Sequence, residues 1–167
     1  MSGRLFLLVM LALGGCLSLR APHGPRTLEE AAAAVPEGEA RASIHLVARG
    51  EEALRAGELE RAHALASRAL RLEGDNGYAY LLLGQVAAAS GELEGALRYL
   101  EEARLVFQIS EPPNERWLAR TLRLEAVLQE RRGRPDEAAR LRAQAEVLDP
   151  GGELAGSAQG PVIDSLR

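Results

Sequence analysis

Apolar residues recur every three or four positions along most of the chain between residues 36 and 148, the period of a helix with one buried face rather than of a strand. The pattern repeats itself. GELERAHALASRALRLEGDN begins at Gly57, and 34 residues after that glycine the chain resumes as GELEGALRYLEEARLVFQIS. Glycines and prolines punctuate the pattern, and between them helices are predicted over 36–56, 59–72, 78–90, 93–109, 114–132 and 135–148. Pro113 and Pro135 fall at predicted helix starts, where a missing N–H costs nothing. The expected fold class is all-α, an α-solenoid of three helical hairpins, with a plain antiparallel bundle as the alternative.

Aligning the chain on Gly57, Gly91 and Gly133 gives spacings of 34 and 42, the second being the first plus an insertion near SEPPNERWL. Each glycine opens a G-x-x-x-x-A motif, ending at Ala62, Ala96 and Ala138, and seven residues further on stand Ala69, Ala103 and Ala145. Seven residues before the glycines lie Gly50, Gly84 and Ala126. Glycine inside a helix costs about 1 kcal/mol relative to alanine, so Gly50 and Gly84 need a compensating close approach of two helices. Larger apolar residues fill the other inward positions: Leu46, Tyr80 and Leu122 on the first helix of each unit, and Leu72, Val106 and Leu148 near the end of the second. One such hairpin cannot bury both its faces, and three units are the least that can.

The 34-residue period with small residues at three fixed phases resembles the tetratricopeptide repeat. In that frame the units are 43–76, 77–110 and 119–152, and the last closes with Asp149-Pro150, where the family commonly has Asp-Pro. Departures fall mainly in the outer units, at Arg49, Glu125, Gln129 and Arg142, where polar residues are expected to face water. The resemblance implies a concave groove lined by the first helices. The first unit supplies Ile44, Val47, Glu51, Leu54 and Arg55; the second Tyr78, Leu81, Gln85, Ala88 and Ala89; the third Arg120, Arg123, Val127, Glu130 and Arg131. Tyr78 and Leu81, in the unit with neighbours on both sides, are the expected anchors for a partner. The asparagines of the carboxylate clamp found in chaperone-binding members are missing, so recognition of heat-shock protein tails is not expected.

The amino-terminal stretch MSGRLFLLVMLALGGC has a different logic. Arg4 precedes an apolar run from Leu5 to Leu13, nine residues against the about 20 that a spanning helix needs, so the segment reads as a secretory signal over 1–15. Leu13-Gly14-Gly15-Cys16 resembles the lipobox of bacterial lipoproteins, which implies cleavage before Cys16 and lipidation of its thiol. Cys16 is the single cysteine of the chain, and a lipid thioether would account for a lone thiol in an exported protein. An ordinary signal peptide with an incidental cysteine is the alternative. Leu17 in place of Asp implies release to the outer membrane, facing the periplasm.

Residues 16–36 are expected to form a lipidated, flexible tether, within which Thr27 and Glu30 make a capping box before a run of alanines. The Gly/Ser-rich 151–167 is expected to be a disordered tail, whose Val162, Ile163 and Leu166 could cover a helix face. The solenoid domain is thus 37–150.

Charge and composition narrow the functions. The net charge of −4 argues against nucleic acid, because phosphate affinity needs clustered positive charge. Arg116, Arg120 and Arg123 nevertheless form a stripe on one helix face, and between Arg116 and Arg142 eight arginines face four acids. That stripe is either a solvated face or a site for an acidic peptide segment. His23, His45 and His63 have no metal-ligand spacing, and His63 is expected to be partly buried. The acidic pairs Glu51-Glu52 and Glu101-Glu102 read as solvated surface. With no phosphate loop, dinucleotide fingerprint, nucleophile elbow or second cysteine, no catalytic residue, metal or cofactor is expected, and the chain is not read as an enzyme. The expected role is a membrane-anchored adaptor or assembly factor for a protein or peptide partner in the bacterial envelope, of the kind that serves secretins, pili or outer-membrane machinery. A self-associating scaffold and an accessory subunit of an envelope enzyme are the alternatives, and the oligomeric state is open.

Overall fold

The computed structural model describes residues 24–152 apart from 112, so the signal segment, Cys16, and the tail from 153 onward lie outside the described residues. Among the described residues every regular element is a helix: α1 (Leu28–Ala34), α2 (Glu39–Arg55), α3 (Leu59–Leu72), α4 (Gly77–Ala89), α5 (Leu93–Ile109), α6 (Glu115–Arg131) and α7 (Pro135–Leu148). Helices α2 and α3, α4 and α5, and α6 and α7 pack as hairpins, and α3 against α4 and α5 against α6 stack one hairpin on the next. The fold is an all-α solenoid of three hairpins.

Each hairpin turns the same way because the same backbone motif closes its first helix. Gly57, Gly91 and Gly133 have φ of 76°, 80° and 77°, the left-handed region that favours glycine. In the first turn Gly57 N–H donates to the Leu54 carbonyl and Glu58 N–H to that of Ala53; Glu92 N–H to Ala87 and Arg134 N–H to Gln129 repeat the longer bond at 2.8 and 2.9 Å. This paired closure satisfies carbonyls that a helix end would otherwise leave bare.

Small residues at the recurring phases let the two helices of a hairpin approach. Ala62, Ala69, Ala96, Ala103, Ala126, Ala138 and Ala145 are fully buried. A side-chain carbon on Gly84 would meet Leu100 Cδ2 at 2.7 Å, and one on Gly50 would collide with Leu82. Both glycines therefore sit where helices touch. The middle hairpin carries the greatest burial: α4 is enclosed from Leu81 to Ala88, as expected of a helix apolar all round.

A buried polar chain locks the first hairpin to the second. Asn76 caps α4 by accepting from Ala79 N–H at 3.0 Å, donates through Nδ2 to Ser43 Oγ, and Ser43 Oγ donates in turn to the Ala69 carbonyl at 3.1 Å. With both side chains buried, each bond replaces one that water would have made.

Two expectations change. Helix α2 starts at Glu39 rather than at 36, because Gly38 adopts φ 146° and breaks the chain there. Residues 24–36, expected within the flexible tether, are docked. Thr27 Oγ1 accepts from Glu30 N–H at 3.2 Å and the Glu30 carboxylate accepts from Arg26 N–H at 2.6 Å, a capping box shifted by one residue. The helix α1 that follows turns Leu28, Ala31 and Ala32 into the apolar core beside α2. A helix this short is marginal alone, so its docking is what stabilises it.

Candidate binding face

Helices α2, α4 and α6 form one layer, and the residues expected to line a groove lie along it. Most are not open. Ile44, Val47, Leu54, Leu81 and Gln85 are buried, Tyr78 is half-buried, and Arg131 is exposed. The covering element over α2 is α1, and the segment ahead of it reaches α6. Trp117 Nε1 donates to the Pro25 carbonyl at 2.7 Å, and Gly24 rests against the Asn114 side chain. At the other end Arg41 donates to the Val35 carbonyl through Nη2 at 2.7 Å. Residues 24–35 thus run across the face from the third hairpin to the first.

Under that strap lies a compact polar and aromatic junction. Trp117, contributed by the insertion, stands edge-on to Tyr78 with ring centroids 4.9 Å apart, and Tyr78 meets Phe107 at 5.2 Å. Such edge contacts are favourable beyond the area they bury. Asn114 Nδ2 donates to the Tyr78 hydroxyl at 2.9 Å, and burial pushes the Tyr78 phenol up to about 12. Tyr78, expected as an anchor for a partner, is half-buried and spends its ring and hydroxyl on this junction.

The arginine stripe is committed as well. Arg120 lies over the Trp117 ring at 4.7 Å and its Nη2 reaches Glu51 Oε1 on α2 at 3.4 Å, bridging the third hairpin to the first. Burial pushes the Glu51 carboxyl up, with Arg120 and Arg55 pulling it back, and burial likewise lowers the Arg120 guanidinium against the pull of Glu51. Burial is the larger influence on both partners, and the pair ties α6 to α2 across the face. Glu51 is therefore not the solvated carboxylate expected from its place beside Glu52. Arg123 donates to the Asp149 carbonyl at 2.6 Å and to its carboxylate at 3.2 Å, closing the end of α7. Arg120 and Arg123 are intramolecular clamps, and neither reading of the stripe, solvated face or open anion site, describes them.

A second concavity opens between α5, α6 and α7, a polar pocket of about 440 Å³ whose lining includes Arg104, Glu125, Gln129 and Arg132. Glu125 is buried rather than water-facing, and Arg104 Nε lies 3.4 Å from its Oε1. Burial drives the Glu125 carboxyl up to about 7 against the pull of Arg104. His63, expected to be partly buried, is exposed and lines a hollow of mixed character with Leu59, Leu83, Glu92 and Tyr99. Among the described residues no group of three or more His, Cys, Asp or Glu could hold a metal ion.

No family model matches the chain, and no curated protein matches it. The face must be read from its own chemistry. Sequence reasoning found α2, α4 and α6 but missed Trp117, Asn114 and the strap. The signal for the strap was present, because Leu28, Ala31 and Ala32 stand at i, i+3 and i+4 directly behind the Thr27 cap.

Proposed function

We propose that the protein is a lipid-anchored adaptor or assembly factor of the bacterial envelope, a tetratricopeptide-type solenoid that holds a helical segment of a partner protein on its α2–α4–α6 face. The observation that carries this reading is that this face already accommodates a helical segment: α1 packs on α2 through Leu28, Ala31 and Ala32, and the residues flanking it are held by hydrogen bonds to the Pro25 and Val35 carbonyls, the first from Trp117 on α6. The lipobox ending at Cys16 supports attachment to the outer membrane, with diacyl anchoring through the thiol. No helix among the described residues is long and apolar enough to cross a membrane.

Two measurements test the reading. Labelling cells with a fatty-acid analogue should mark the wild type and not Cys16→Ser, and equal labelling would remove the anchor. Cross-linking the intact protein in membranes should trap an envelope protein through residues introduced on α2 or α4; cross-links confined to α7 would remove the proposed face. A self-associating scaffold is favoured by one observation only, the 82% exposure of Val147 on the last helix. Light scattering decides it, since a monodisperse monomer is incompatible with a scaffold.

A further inference from the structure

We propose that residues 24–36 are a displaceable strap that stands in for the partner, and that the partner is a helix of another protein with the same chemistry: a leucine opening an acidic first turn, with two small residues three and four positions after that leucine. This rests on the adaptor reading and names what that face takes and what guards it.

The strap is built to be held weakly. It buries one leucine and two alanines, where a core helix of the solenoid such as α4 buries several large side chains. The remaining holds are directional and few: the Trp117 bond to Pro25 near its start and the Arg41 bonds to Val35 at its end. Segments of this kind open locally far more readily than the fold unfolds. A pivot stands ready behind the Arg41 clamp, because Gly38 has φ 146° and no neighbour around its open side.

Charge sets what can replace it. Glu29 is exposed on the first turn of α1, which packs on α2, and α2 carries the exposed Arg55 and His45, whose charges favour the ionised Glu29 carboxylate. Glu29 is held below the usual carboxylate range by its backbone hydrogen bond and by Thr27, with smaller contributions from Arg55 and His45. An incoming helix with an acidic first turn would meet the same cations, Arg55 and His45, together with the like charge of Glu51, which Arg120 and Arg55 offset. A basic helix would meet them as repulsion.

The test uses the full-length chain and a labelled peptide of residues 24–36. Wild type should bind the peptide weakly, because a site that is open only part of the time loses affinity by that fraction. Leu28→Arg with Ala32→Arg, both on the strap and off the solenoid, should eject it and tighten peptide binding about tenfold or more. A peptide carrying Glu29→Arg should lose that gain. Hydrogen exchange over 28–34 should quicken in the variant while α4 stays slow. Equal peptide affinity in wild type and variant would overturn the proposal. An unfolded variant would overturn it too, since a strap the solenoid cannot do without is not displaceable. A wild-type dimer that the variant converts to monomer would replace the foreign helix with strap exchange between two copies. Peptide binding does not depend on an envelope partner being found, so failure of the adaptor reading would appear separately, as no envelope protein cross-linked even by the ejected variant.

Discussion

Two kinds of glycine, seven residues apart in the repeat, do different jobs, and substitution separates them. Gly91 has φ 80° with nothing within 4 Å of where a side chain would begin, so Gly91→Ala should cost about 1 kcal/mol from backbone conformation alone. Truncating a neighbour should not restore it. Gly84 is helical and a side-chain carbon there would lie 2.7 Å from Leu100 Cδ2, so Gly84→Leu should overpack the middle hairpin and cost roughly 1–3 kcal/mol, with Leu100→Ala recovering part of the loss. Thermal melts of the four proteins check both statements. Glu125 gives a pH signature at the same scale. Its folded pKa of about 7 lies above the ordinary carboxylate value of 4.5, so the native state binds the extra proton. Stability from this group is complete below about pH 4.5 and is lost as pH rises through about 7. Glu125→Gln should therefore match wild type near pH 5 and melt higher than wild type near pH 8. A wild type that gains stability over that range relative to the variant would reverse the assignment.

At the scale of elements, substitutions at the α4–α6 junction report on stability rather than on partner binding. Tyr78→Ala removes a ring packed on Phe107 and Trp117 and leaves the buried Asn114 amide without its acceptor, so a loss of about 3–5 kcal/mol is expected. Tyr78→Phe removes only the hydroxyl and should cost about 1–2 kcal/mol. Reversing Arg120 or Arg123 to Glu would place like charges against Glu51 or Asp149 in partly buried surroundings. Each reversal should cost about 3–5 kcal/mol, and Arg120→Glu should be rescued in part by Glu51→Arg. Denaturant melts measure all of these; no coupling between positions 51 and 120 would mean the α2–α6 bridge is not formed in solution.

The whole molecule is a short one-dimensional stack, and its stability should be graded accordingly. Helix α4 has a hairpin on each side and the most enclosed surface, whereas α1 and α7 are terminal among the described elements. Native-state hydrogen exchange should rank α4 slowest, α7 faster and α1 fastest. Uniform protection across the helices would instead indicate a single cooperative block. The eight arginines of the last hairpin, so prominent in composition, are in part internal fasteners: Arg120 to Glu51, Arg123 to Asp149, Arg132 to Glu94 and Arg142 to Glu130.

The all-α class, the hairpin turns at glycine and the close helix approaches were legible in one dimension, because each depends on a residue's own conformational limits or on spacing along a single helix. Gly57, Gly91 and Gly133 needed no partner to be understood. The binding face was legible only as a list of positions. Whether Tyr78 points at solvent or at Trp117, whether Arg120 is free or closed on Glu51, and whether residues 24–36 hang loose or cross the face are decided by groups many tens of residues apart in the chain. Such contacts follow from the curvature of the stack, which sums small rotations between hairpins and has no signature in any local pattern. Tertiary packing alone turned a charged stripe into clamps and a predicted tether into a helix lying on its own solenoid.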